Sequence, residues 1–229
     1  MKKFELTNEF ITNSYGVKLF RIKALIEFGN VKAGDLGGYI EKEENLSHMG
    51  DAWIYGDAQI SGNAQVFGDA QVFGDARVSG NARVSGNARV FGNARVFGNA
   101  WVSGNARVSG DTQVFGDARV FGNAWVSGNA RVFGDARVSG NARVSGDAWV
   151  FGDARVSGDK DYAYAHGFGS CNRTTTFFRL KDGDVGVRCG CFYGTLAQFR
   201  DKVCETHGET KKAQEYLMLA DLMKLRFEK

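Results

Sequence analysis

From Ala52 to Asp159 the chain repeats one six-residue alternation: small, polar, aliphatic, Ser or Phe, then Gly and Asn or Asp. In the first hexad, Ala52-Trp53-Ile54-Tyr55-Gly56-Asp57, the aliphatic residue is Ile54; it recurs at Ile60, Val66, Val72 and every sixth residue to Val156. That makes 18 hexads without an insertion, and the small-residue column breaks only at Thr112. The first four positions alternate with the period of two that a strand requires. The last two are corner residues, because glycine takes positive φ freely and Asn or Asp tolerates it better than most. Each hexad therefore predicts one short strand and one corner, with Ala and Val turned inward.

This pattern resembles the hexapeptide repeat of left-handed parallel β-helices, in which an aliphatic residue and a small residue four places later face the core. The resemblance covers about half of the 229 residues. It implies a mainly β fold with three hexads per triangular coil, hence about six coils and, at about 4.8 Å per coil, a prism roughly 29 Å long. Trp101, Trp125 and Trp149 recur every 24 residues, a spacing that would stack them only on a four-sided coil. The six-residue period favours the triangle, with the longer spacing left by duplication of 12- or 24-residue units.

We divide the chain into an N-terminal cap (1–50), the repeat (51–158) and a small C-terminal α+β domain (159–229). Residues 17–26 of the cap read as strand, and Gly34-Asp35-Leu36-Gly37-Gly38-Tyr39-Ile40 as the turn leading into the prism. Together with the hexads and the C-terminal unit, the segment 19–45 is similar to uncharacterised repeat proteins of bacteria and their prophages; this implies a setting rather than an activity. Beyond a joint at 162–170, Thr174–Leu180 and Val185–Cys191 read as a hairpin around Lys181-Asp182-Gly183-Asp184. Thr195-Leu196-Ala197-Gln198 is a capping box that starts a helix ending near Gly208. A second helix from about Thr210 to Phe227 carries the stripe Ala213, Tyr216, Leu217, Ala220, Met223, Phe227, completing a ββαα unit.

Charge narrows the function classes. The net charge of +3 is thinly spread, with 10 arginines and 9 aspartates in the repeat. We expect these to pair across corners, and nucleic acid is not an expected partner. No apolar run is long enough for a membrane span, and we expect a cytoplasmic protein. Many hexapeptide prisms are acyltransferases with a histidine base and a coenzyme A cleft. Here no hexad contains histidine, His48 precedes the first and His166 follows the last. We assign no catalytic residue, no cofactor and no metal; Cys171, Cys189, Cys191 and Cys204 read as small core residues.

Two surfaces remain. On a triangular prism Phe97, Phe115, Phe133 and Phe151 stack as an apolar strip, the candidate interface for a homo-oligomer or for the chain's own terminal unit. The glycine-punctuated segment around Ser170, Arg173, Thr174 and Thr175, with Arg179 and His207 as neighbours, is the candidate ligand site, suited to an anion such as a nucleotide. The expectation is a non-catalytic binding or scaffold protein that recognises a host protein or a nucleotide-like molecule. An acyltransferase and a purely structural self-assembling β-helix are the alternatives.

Overall fold

The computed structural model describes residues 2–168 and 173–228, with Arg173 described by its backbone alone. Strands β1 (Phe4–Thr12), β2 (Lys18–Ala24) and β3 (Leu36–Ile40) form an antiparallel meander. Eighteen two-residue strands follow, from β4 (Trp53–Ile54) to β21 (Arg155–Val156). They lie in three parallel sheets, and residues 18 apart are partners: Val78 pairs with Val96, Val96 with Val114, Val114 with Val132. The coil therefore has three hexads per turn.

The parallel solenoid has about seven turns rather than six. Ile40 pairs with Ile60, and Leu46 bridges to Val66. The six-residue period thus begins at Ile40 and Leu46, ahead of the irregular 47–51 segment. Residues 36–40, expected as a turn, are a strand because their backbone completes the first sheet. Gly37 and Gly38 are required there, since a Cβ on either would lie 2.6 Å or less from Ile22 or Ile54 side-chain atoms.

Every repeat Ala and Val, and Thr112, is buried. Thr112 keeps its hydroxyl satisfied by donating to the Ser109 carbonyl at 2.6 Å. Successive coils are joined by backbone bonds on both strand and corner: Phe97 N–H to Val114 O at 3.0 Å, Asn99 N–H to Gly116 O at 2.9 Å. Corner asparagines form side-chain ladders, Asn63 to Asn81 to Asn99 to Asp117, and Asn87 to Asn105 to Asn123 to Asn141.

The expected Arg–Asp pairing is not found. Among the described residues, every ion pair lies outside the hexads. The arginines stand on the strands and the aspartates at the corners, where Asp111, Asp117 and Asp147 accept from asparagines of the preceding coil. Several arginines instead lie over tryptophans, Arg107 on Trp125 and Arg119 on Trp101. The 24-residue spacing is explained locally: the Trp101 and Trp125 indole N–H groups donate to Ser85 and Ser109, each sixteen residues earlier. A Trp and its Ser recur together, so no tryptophan stack is needed.

Both ends of the solenoid are closed. At the N-terminal end Lys3, 1% exposed, donates to the Gly50 and Ala52 carbonyls at 3.1 and 2.8 Å. Asn45 does the same for Gly62 and Ala64. His48 accepts from the Lys3 backbone N–H, faces Glu43 at 2.6 Å and stacks on Phe4. Desolvation draws the Lys3 ammonium down to about 8, against the pull of Asp51 and Asp69. The unfolded chain would hold that proton to about 10.5 while the folded one releases it near 8. Between these values the unfolded state binds more protons, so stability rises with pH. Urea titrations should show this rise, at most a few kcal/mol, and Lys3→Met should abolish it; an equal rise in the variant refutes the assignment.

At the other end Tyr162, Phe178 and Leu180 complete the solenoid core. Burial pushes the Tyr162 phenol above its ordinary range, and its hydroxyl donates to Ser145 O at 3.3 Å. Among the described residues the C-terminal unit has four antiparallel strands, not two: β22 (Tyr162–Phe168), β23 (Arg173–Arg179), β24 (Val185–Cys189) and β25 (Phe192–Thr195). The helices are α1 (Leu196–His207), with the Thr195–Gln198 capping box, and α2 (Lys211–Phe227), whose N-cap is Thr210. α1 starts where its capping box predicts, and α2 spans the residues that its apolar stripe predicts. Ala213, Tyr216, Ala220, Met223 and Phe227 face the sheet and α1 as a second core. Among the described residues no helix is long and apolar enough to cross a membrane.

Candidate functional site

Strand β23 alternates between two cores. Phe178 enters the solenoid core and Phe177 the helical one. Thr174 and Thr176 share the Phe178 face, and the Thr176 hydroxyl accepts the Trp149 backbone N–H at 3.3 Å. On β24, Arg188 also turns to the prism, its guanidinium 4.8 Å from the Trp149 ring and 5.7 Å from Phe151. Arg131 lies 4.7 Å from the same indole. One tryptophan thus carries two guanidinium groups.

Trp149 differs from its counterparts for a simple reason. The residue sixteen before it is Phe133, not serine, and the rings meet edge to face at 5.9 Å. At the joint its ring face carries both Arg131 and Arg188. Beside it opens a cleft of about 430 Å³ lined by Asp147, Trp149, His166, Thr174, Thr176, Arg188 and Gly190, a size suited to a small molecule. His166 Nδ1 and the Thr174 hydroxyl are 3.0 Å apart. Arg188 has no carboxylate partner among the described residues; its only polar contact there is the Phe192 carbonyl at 3.5 Å. Asp147 accepts from Asn129 at 2.9 Å. Among the described residues the cleft offers one half-buried cation, hydroxyls, an imidazole and one carboxylate.

Of the residues expected to bind a ligand, Thr174 lines this cleft. Ser170 lies outside the described residues, as does the Arg173 side chain. Thr175 is buried on the opposite face, donating to Cys189 Sγ at 3.2 Å. Arg179 donates to the Phe227 carbonyl at 2.6 Å and fixes the end of α2. His207 stacks near Tyr216 at 5.8 Å and borders a separate, mainly apolar pocket of about 310 Å³ with Cys189, Cys191 and Phe199. The strand period explains the scatter: adjacent residues of β23 serve different cores. Trp149, Arg188, His166 and Asp147 were not singled out, although the missing serine partner of Trp149 is legible in the sequence.

The cysteines only partly follow expectation. Cys189 packs against the helical core, whereas Cys191 and Cys204 are exposed and Cys171 lies outside the described residues. Among the described residues no three His, Cys, Asp or Glu side chains converge as a metal site.

The phenylalanine strip stacks face to face at 4.8–4.9 Å between neighbours. Its last ring, Phe151, is covered by Tyr193 at 4.3 Å and by Phe178 at 5.9 Å. At that end the strip joins the C-terminal sheet to the prism.

Residues 58–74, 70–86, 76–90, 88–104, 100–114, 112–128 and 136–152 match the family model described as the YdcK beta solenoid repeat. All of these matches lie within the hexads. No curated protein matches the chain.

Proposed function

Starting from a chain whose prism is a YdcK-type beta-solenoid repeat, we propose that the protein is a non-catalytic binder. The solenoid is a rigid spacer and the C-terminal sheet supplies the recognition cleft. We take the coils to wind left-handed, as the hexapeptide resemblance implies. The observation that carries the reading is Arg188, held between Trp149 and Phe151 at the cleft without a carboxylate partner among the described residues. A guanidinium fixed on an aromatic face is pre-oriented for an anionic group and has lost part of its competing hydration. The Thr174 and Thr176 hydroxyls add donors, while Asp147 suits a ligand N–H or hydroxyl.

A nucleotide-like molecule meets both demands, with phosphate toward Arg188 and a base or sugar donor toward Asp147. In the bacterial or prophage setting that the sequence resembles, such a protein would sequester a nucleotide signal.

The test is native mass spectrometry of the gently purified protein, followed by calorimetric titration with a panel of mono-, di- and cyclic nucleotides. We expect at least one to bind, and Arg188→Ala to weaken it by tenfold or more, as for loss of a charge-assisted hydrogen bond. Absence of binding across the panel, or undiminished binding by Arg188→Ala, refutes the site.

A further inference from the structure

Stacking on an aromatic side chain discriminates poorly between bases, because every base has a π-face. Trp149 does not offer even that. Arg131 and Arg188 stand 4.7 and 4.8 Å from its ring, and Phe133 meets it edge to face at 5.9 Å. With those groups on it, the indole has no open face for a base. Recognition of a base in this cleft falls to hydrogen bonds. Asp147 is exposed at its corner, and its Oδ1 accepts from Asn129 Nδ2 at 2.9 Å, which tethers the carboxylate. An ionised carboxylate only accepts, and both oxygens keep lone pairs for a ligand. His166 Nδ1 and the Thr174 hydroxyl are 3.0 Å apart. A neutral imidazole has one N–H and the hydroxyl one O–H. One of these two hydrogens joins the pair, and the other is left to donate. Thr176 is buried and already accepts the Trp149 N–H. Beside Arg188, the cleft thus presents a double acceptor and a single donor.

We propose, resting on the reading of this cleft as a nucleotide site, that the base it selects is guanine and that Asp147 makes the selection. Among the common bases only guanine carries N–H donors side by side on two nitrogens, N1 and the 2-amino group. They match the two oxygens of one carboxylate. Guanine O6 lies on the other side of N1 and takes the donor left by His166 and Thr174. Adenine and cytosine set an amino group beside a ring nitrogen that accepts, and that nitrogen would face a carboxylate oxygen. Uracil has one N–H between two carbonyls. Each wrong base therefore leaves acceptor against acceptor, which costs binding.

Calorimetric titration of the full chain with the 5′-monophosphates and 3′,5′-cyclic monophosphates of guanosine, inosine and adenosine tests this. Inosine keeps N1–H and O6 but lacks the 2-amino group. The expected order of affinity is guanosine, inosine, adenosine, with about tenfold or more between first and last. Asp147→Asn should remove the guanosine preference. That variant keeps a corner contact of a kind the prism already holds, since Asn123 and Asn141 pair at 3.2 Å. Arg188→Ala should weaken all three bases alike and leave their order intact. Equal binding of the three, a preference for adenosine, or a guanosine preference that survives Asp147→Asn overturns the proposal and leaves the nucleotide reading standing. Binding of none of these six also overturns it. Only silence across the whole nucleotide panel removes the reading beneath it as well.

Discussion

Gly98→Val is expected to destabilise the protein by about 3 kcal/mol or more, read as a large fall in the urea midpoint. Gly98 sits at a corner with φ of 72°, a region that a β-branched residue avoids. Its Cβ would lie 3.0 Å from the Gly116 nitrogen and 3.2 Å from the Gly116 carbonyl oxygen of the next coil. Those are backbone atoms tied into the solenoid and cannot swing aside as a side chain would. Coils contact only their neighbours, so one damaged contact also weakens the coupling between the two halves of the prism. Gly158→Ala is the control: Gly158 is extended, and a Cβ there meets nothing within 4 Å. Its effect should stay within about 0.5 kcal/mol. Equal midpoints for the two variants would show that the corners are not held by this glycine stack.

The second large effect is Phe178→Asp. Phe178 is fully buried at the joint, 5.9 Å from Phe151 and 6.5 Å from Tyr193. Emptying such a site costs about 3–5 kcal/mol, and an unpaired carboxylate adds to it. The C-terminal sheet should detach from the solenoid. That would expose the last strands of the three sheets, Arg143–Val144, Trp149–Val150 and Arg155–Val156. Open parallel edges recruit further strands, so light scattering should rise with concentration. Phe177→Asp, one residue away but in the helical core, should instead reduce the helical signal while leaving the solenoid end covered. If the two variants behave alike, the division of β23 between two cores is wrong.

The hexads were legible because each buries the same two side chains at the same interval, leaving one architecture that satisfies Ala and Val together. The first helix was legible from its capping box at Thr195, and the second from its apolar stripe. Strand β22 was not, because alternating tyrosine and alanine ending in His166-Gly167 carries little apolar signal until β23 pairs with it. The first partial turn was hidden for the opposite reason: Ile40 and Leu46 keep the period, but the glycines around them imitate a loop. The candidate cleft was harder still, since its residues come from the prism and from three strands of the C-terminal sheet. Thr174 and Thr176 fell inside the segment that composition highlighted, and only Thr174 was singled out as a ligand residue. Arg188 looked like one more polar residue in an alternating strand; its meaning depends on a tryptophan 39 positions earlier.

The 18-residue register makes chain length an angular coordinate. Removing or duplicating three hexads would shift the C-terminal sheet by one coil, about 4.8 Å along the axis, and leave its compass bearing relative to the N-terminal meander unchanged. Removing or duplicating one hexad would swing it by a third of a turn onto another face. A 24-residue duplication, the unit suggested by the recurring tryptophans, does both at once. Repeat number therefore steers where the head points, without altering a single residue of the head itself.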